Sequence, residues 1–350
     1  MKIFLLFGVL LTWSNSAWAE RRAKNVILLL ADAGGIPTLH AASVHGYKAT
    51  RKLFVQSMPY LGLSDTSTAS QWVSDSAAGM TAIVTGVKTH NGVLSQDATA
   101  VRGKSDGVPL KTILEYAEER GLSTGIITSQ PFFDATPAAC YAQVNDRRAT
   151  AKILEQFLKP RFGDGVDILV GAGRKQALAA VPDFLDRARQ KYTLADSPTS
   201  LGDQKRVLAI VDGPFELSGV LQRTIDLLSK NRKGYFLMVE WDAHTDQIRA
   251  GLDRLLEFDR AIRQTAQRPD MKDTLLLFTA DHSFDLRVVG GLKKDDLLST
   301  PGAIKVDGSH SGEEVLVAAQ GPGASQVRGY LDNTDLFRIM MKAFGWRVGP

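Results

Sequence analysis

Unbroken apolar runs, each closed by an acid or a glycine turn, recur along this chain and set its expected architecture. Residues 24–31 read Lys-Asn-Val-Ile-Leu-Leu-Leu-Ala, the length and composition of an interior strand covered on both faces. The run ends at Asp32-Ala33-Gly34-Gly35, placing a carboxylate at the carboxyl end of a strand, where open α/β sheets hold their ligands. Strand-like runs return at residues 123–128, 166–170, 206–211, 235–239, 274–280 and 314–319. Helical periodicity appears at residues 110–120 with Gly121 as its stop, at 215–231 and at 333–344. Residues 176–205 mix helix and loop. Strands alternating with helices predict a layered α/β fold on a largely parallel sheet. With no repeat, low-complexity stretch or linker, residues 20–350 read as one domain.

Composition changes this picture little. Hydrophobic content of 44% and charged content of 23% are ordinary for a globular chain long enough to bury a sizeable core. A net charge of +4 without a dense basic block argues against nucleic acid as a dedicated partner. The amino terminus matters more. Lys2, the apolar residues 3–13 and Ala17-Trp18-Ala19 form a secretory signal pattern, with cleavage expected after Ala19 and delivery to the periplasm or medium. No later segment is long and apolar enough for a membrane span, so none is expected after cleavage. A lone cysteine, Cys140, rules out an internal disulfide and leaves stability to the core and any metals.

Candidate chemistry centres on Ser74-Asp75-Ser76-Ala77-Ala78-Gly79-Met80-Thr81-Ala82. Small residues after Ser76 suit an open, closely packed helix start whose free N–H groups favour an anion, so Ser76 is a candidate nucleophile for a phosphoryl group. A plain Ser/Asp N-cap is the competing reading. Three of six histidines, His244, His282 and His310, stand beside strand ends or Gly/Ser turns, as do Asp32, Glu240 and Asp281. A mixed histidine and carboxylate set suits zinc, and Thr136 with carboxylates such as Asp134 suits a harder ion such as magnesium. The neighbours Asp281 and His282 can face different sides of a metal cluster. His40, His45 and His90 lack such partners. Arg147, in Asn-Asp-Arg-Arg, is either a phosphate fork or one more surface charge.

Asp75-Ser76-Ala77-Ala78 with Thr81-Ala82 and Thr85-Gly86-Val87-Lys88-Thr89 resembles the nucleophile motif of the alkaline phosphatases. Asp134-Ala135-Thr136-Pro137-Ala138-Ala139, Thr279-Ala280-Asp281-His282 and Ser309-His310-Ser311-Gly312 resemble that family's other blocks, in its order. Asn145-Asp146-Arg147 falls where the family keeps its phosphate-binding arginine. The resemblance runs from Asn25 to the C-terminal helix. It implies a three-layer sandwich and hydrolysis of small phosphate monoesters through a phosphoserine at Ser76. It also implies two Zn2+ ions and one Mg2+. Asp32, Asp281 and His282 would bind the zinc that activates Ser76, His244 and His310 the second zinc, and Asp32 with Thr136 the magnesium.

Two departures stand out. The family spaces Glu, four residues, Asp, three residues, His, whereas here Glu240-Trp241-Asp242-Ala243-His244 is shortened. Either Glu240 inherits the zinc role, or Asp242 or Asp246 takes over one of the two positions. The stretch between His282 and His310 is also short where larger relatives carry an insertion that caps a dimer, so a homodimer stays open. A phosphodiesterase or sulfatase of the same superfamily is the second reading, and a non-catalytic exported phosphate- or metal-binding protein the third. Sulfatase chemistry needs a modified Cys or Ser followed by Pro and Arg, which Cys140-Tyr141-Ala142-Gln143 does not supply.

Overall fold

The computed structural model describes residues 21–347, so the signal pattern of residues 1–19 lies outside the described residues. Strands are β1 (Asn25–Asp32), β2 (Tyr60–Ser64), β3 (Ser123–Pro131), β4 (Ile168–Ala172), β5 (Thr193–Leu194), β6 (Val207–Val211), β7 (Tyr235–Asp242), β8 (Thr274–Thr279), β9 (Ser283–Val288), β10 (Ile304–Ser311), β11 (Val315–Gln320) and β12 (Gly329–Leu331). Helices are α1 (Ile36–Tyr47), α2 (Ser76–Thr85), α3 (Ile113–Glu119), α4 (Ala135–Ala138), α5 (Thr150–Leu158), α6 (Arg174–Ala180), α7 (Phe184–Ala188), α8 (Leu217–Leu228), α9 (Ile248–Ala266) and α10 (Asn333–Ala343). Every strand expected from an apolar run is present.

The main sheet has the order β12-β2-β11-β8-β1-β7-β3-β4-β6-β5. It is largely parallel; β11 alone runs against its neighbours β8 and β2. β1 explains the architecture by itself. Its residues alternate between faces, as strand geometry requires, so Val26, Leu28 and Leu30 pack into one core and Ile27, Leu29 and Ala31 into the other. Helices α2, α3, α5 and α10 cover the first face, and α1, α8 and α9 the second. The result is the expected three-layer α/β sandwich. Among the described residues, no helix is long and apolar enough to cross a membrane. Cys140 is fully buried, and burial pushes its thiol far above the ordinary range, which keeps it protonated.

Some boundaries moved for local reasons. The helix expected over 110–120 starts at Ile113, because the Thr112 hydroxyl accepts the Glu115 N–H while Glu115 accepts the Thr112 N–H, a capping box. Gly121, with φ of +69°, ends that segment as expected. β7 continues to Asp242, so the acids Glu240 and Asp242 lie within the strand rather than after it. The sequence reading did not single out α1, α5, α9, β2, β12 or the β9–β10 hairpin, which fills the stretch between His282 and His310.

Candidate active site

Four neighbouring strands deliver the candidate residues to one edge of the sheet. β1 ends at Asp32, β7 carries Glu240 and Asp242, β8 leads into Asp281-His282, and β3 leads into Asp134 and Thr136. Parallel register sets Asp32 opposite Asp242, and Glu240 opposite both Leu30 and Thr128. This is the carboxyl edge at which doubly wound sheets bind ligands.

Ser76 is the first residue of α2, and Asp75 is its N-cap, accepting the Ala78 N–H at 3.0 Å. Since Asp75 performs the capping, the Ser76 hydroxyl is free for another partner. It lies 3.3 Å from His282 Nε2. It is also buried, at 4% exposure, rather than open as the small-residue run suggested. Gly79 explains the close packing: a Cβ there would stand 2.5 Å from the Asp281 carbonyl oxygen. The second Asp75 oxygen accepts from Arg147 Nη1 at 3.2 Å, and Asp134 accepts from Arg147 Nη2 at 3.1 Å. The guanidinium is thereby aimed beside the serine. Burial works against its charge, yet the Asp134 and Asp75 carboxylates hold it above its ordinary range.

The three histidines converge. His282 and His310 stack with ring centroids 3.7 Å apart, and His244 lies 5.7 Å from each. Their hydrogen bonds settle the tautomers, because carbonyls and carboxylates only accept. His282 Nδ1 donates to the Ser283 carbonyl at 3.1 Å, His310 Nδ1 to the Ser74 carbonyl at 2.9 Å, and His244 Nδ1 to Asp242 at 2.9 Å. Each Nε2 is left as a lone-pair donor, the arrangement found for metal-binding histidines. Burial drives His282 down to about 4, so it is neutral at ordinary pH. For His244, burial is outweighed by the hydrogen bond to Asp242, and the net shift is upward.

Among the described residues, two groups have the spacing to hold an ion: His244, His282 and His310, and Asp32, Asp281 and His282. His282 is common to both. Carboxylate oxygens of Asp32 and Asp281 lie 3.5 and 3.6 Å from its Nε2. The donor set passes a further test of fit. Asp32 Oδ1, Asp281 Oδ2, Glu240 Oε1 and Thr136 Oγ1 are all buried without a hydrogen-bond partner, a costly state that a bound cation would relieve. The buried acids also raise one another. Burial, then the charges of Asp281, Glu240, Asp242 and Asp134, push Asp32 well above the ordinary carboxylate range. Burial is the main cause lifting Glu240 to about 8.

The shortened block divides its acids between two sets of partners. Glu240 faces the Thr128 hydroxyl, which donates to it, with Asp134, Asp281 and Thr136 near enough to act on it. Asp242 has a different set: Oδ1 accepts from the backbone and Nδ1 of His244, and Oδ2 pairs with Arg254 at 2.8 Å. Those contacts overcome the effect of burial and hold Asp242 below its ordinary range. Asp246 is exposed. His45 pairs with Asp253, and His90 bonds Ser70 and the Ala98 carbonyl, away from these groups.

Arg254 is the residue that sequence reasoning missed. Besides Asp242 Oδ2, it donates from Nε to the Asp242 carbonyl at 2.8 Å and from Nη2 to the His244 carbonyl at 3.2 Å. Gly251, one turn earlier on α9, lets the helix approach; a Cβ there would lie 2.2 Å from the His244 carbonyl oxygen. The available signal was the apolar spacing of Leu252, Leu255, Leu256 and Ile262, which marks α9 and puts Arg254 in its first two turns. Arg254→Ala is expected to weaken metal binding about 10–100-fold, the usual cost of disturbing the outer partners of a metal-binding histidine, here Asp242 on His244. Competition with a chromophoric chelator measures this; unchanged affinity would remove Arg254 from the site.

Comparison with known proteins now places the chain. The family model described as alkaline phosphatase matches residues 23–197 and 214–305. The chain belongs to the alkaline phosphatase family. Alkaline phosphatase of Escherichia coli (strain K12) is 27% identical, the match covering 93% of this chain and 87% of that protein. That of Gadus morhua is 26% identical, covering 90% and 80%. Among solved structures, alkaline phosphatase from the Antarctic bacterium TAB5 superposes with a TM-score of 0.79 at 22% identity, covering 94% of this chain and 99% of that one. The Thermus thermophilus enzyme gives 0.78 at 22%, covering 94% and 92%. Membership supports a metal-dependent phosphatase acting on small phosphate esters.

Proposed function

We propose that this chain is an exported alkaline phosphatase that hydrolyses phosphate monoesters through a phosphoserine at Ser76. The observation that carries the proposal is the Ser76 hydroxyl, 3.3 Å from His282 Nε2, beside an Arg147 that Asp75 and Asp134 hold in place. Asp32, Asp281 and His282 would hold one Zn2+, and His244 and His310 the other, with Asp242 orienting His244. Asp32, Thr136 and Glu240 form the oxygen-rich set suited to Mg2+. Such ions supply stabilisation of negative charge on the nucleophile, the phosphoryl oxygens and the departing group.

The chain's own residues do the positioning. Arg147 presents a planar fork that grips two phosphoryl oxygens at once, which a lysine could not do. The α2 N-terminus, with its free N–H groups, favours the phosphate dianion beside Ser76. Ser76 Oγ then bonds to phosphorus while the ester P–O bond breaks, the bond pair leaving on the alcohol oxygen, which takes a proton. Water attacks the phosphoserine in turn, and Ser76 regains its proton as phosphate departs. Arg147 favours monoesters, since a diester's extra substituent would crowd a phosphate clamped this way. Export is supported by the Lys2–Ala19 pattern and by a lone, buried cysteine suited to an oxidising compartment.

The test is turnover of p-nitrophenyl phosphate at alkaline pH by the zinc- and magnesium-loaded protein. Activity should vanish with a chelator and return when the ions are restored. Absence of turnover would refute the proposal, and equal or faster turnover of bis(p-nitrophenyl) phosphate would reassign the chain to diesters.

A further inference from the structure

A cavity of about 510 Å3 opens beside Asp75, the residue before the candidate nucleophile. Asp75, Asp134 and Arg147 line it together with Arg102, Arg148, Thr150 and Phe133. The phosphate fork proposed above accounts for Arg147 alone, and two further guanidiniums line the same cavity.

Those two arginines differ from Arg147 in their partners. Arg147 is matched by two carboxylates, Asp75 and Asp134. Arg102 has one, Asp146, at 3.3 Å. The Arg148 side chain has no acidic partner among the described residues; its backbone N–H donates to Asp146 and its carbonyl accepts from Thr150. Arg102 is also held in place, its guanidinium lying over Gly92, where a Cβ would stand 2.3 Å from Cζ. Two cations with incomplete neutralisation therefore border a cavity larger than one phosphate needs. Both side chains are exposed and hydrated, so an anion entering there would exchange water for charge-assisted hydrogen bonds that neighbouring acids do not already fill.

We infer that this cavity is a second anion subsite that selects phosphate monoesters whose leaving group itself carries a negative group, a phosphate or a carboxylate. Arg148 makes the main contact and Arg102 the supporting one, while Phe133 closes one side as an apolar wall. The inference rests on the phosphomonoesterase reading. It adds the substrate class: a neutral leaving group uses the Arg147 fork only, and an anionic one reaches past it.

The test compares inorganic pyrophosphate, phosphoglycolate and p-nitrophenyl phosphate with the metal-loaded protein. The kcat/KM ratio of pyrophosphate to p-nitrophenyl phosphate should fall about tenfold in Arg148→Ala, the size of one lost charge-assisted hydrogen bond. Arg102→Ala should move the ratio in the same direction by less, and Arg148→Lys should recover part of it. The ratio should also fall as salt is raised, because the contact is ionic and partly exposed. A ratio unmoved by both alanine variants would overturn the inference. Phosphoglycolate following pyrophosphate assigns recognition to negative charge in general, and its following p-nitrophenyl phosphate assigns it to phosphate oxygens; either supports the subsite. Binding separates this inference from the reading beneath it. In the Ser76→Ala background, calorimetry should show pyrophosphate binding more tightly than methyl phosphate, with the difference reduced by Arg148→Ala. If wild type lacks phosphatase activity but that difference persists, the function is wrong and the subsite stands. If activity is present and the difference is absent, the subsite is wrong alone.

Discussion

Ser76→Ala is expected to lower turnover of p-nitrophenyl phosphate on the order of 10³-fold or more, with no phosphate trapped on acid quench. Bound metal should stay near the wild-type level. The variant isolates chemistry because of how α2 begins. Asp75, not Ser76, caps the helix, so the helix start survives the substitution. Among the described residues the hydroxyl has one hydrogen-bond partner, His282 Nε2 at 3.3 Å, and its loss should change stability by about 1 kcal/mol or less. Asp32, Asp281 and His282 keep their mutual spacing without it. A variant with wild-type turnover, or one that still traps phosphate, would show that Ser76 is not the nucleophile. Loss of metal along with activity would mean that the hydroxyl helps to build the site as well as to react.

The second large effect is on stability after the metals are stripped. Glu240 moves from an ordinary 4.5 to about 8 in the fold, mainly by burial, and Asp32 moves in the same direction for the same reason. The sign follows from linkage. A group whose folded pKa is raised contributes full stability below its unfolded value and loses it as pH rises through the folded value. Chelated protein should therefore lose stability from about pH 4.5 to about pH 8, at up to about 1.4 kcal/mol per pH unit for each ionising group. A bound cation keeps those carboxylates ionised and paired, so loaded protein should resist this loss. The gap in Tm between loaded and chelated protein should widen with pH across that window. Glu240→Gln should flatten the slope of the chelated form. A gap that stays constant or narrows would show that the buried acids are neutralised by something other than a metal.

The strand and acid pattern was the most legible part of the chain. β1, β7 and β8 announce themselves because each is buried on both faces, which keeps the middle of each strand apolar up to the functional acid at or near its end. Ser76 was legible for a related reason: close packing of α2 on Asp281 demands tiny residues around Gly79. What escaped was set by partners far away in sequence. The antiparallel β11 reads like any buried strand, since direction leaves no mark on an apolar run. The burial of the Ser76 hydroxyl depends on His282, contributed from across the chain. The division of labour between Glu240 and Asp242 turns on Thr128 and Arg254, neither adjacent to the block. Spacing alone left those two acids interchangeable, since residues two apart share a strand face, and their partners separate them.

The central position of β1 has a consequence for how the protein is made. Its flanking strands β7 and β8 come from the far part of the chain, and the Asn25 amide bonds Thr274 across 249 residues. Strand pairings of such separation carry a large loop-closure cost and form slowly. Asp32 thus waits, during synthesis, for partners that emerge late, and His310 is later still. A metal ion that meets the chain early finds scattered donors rather than a cage, so it cannot template the sheet and can only lock it once it has closed. Refolding should be rate-limited by sheet assembly, with a rate indifferent to metal concentration and a final yield that depends on it.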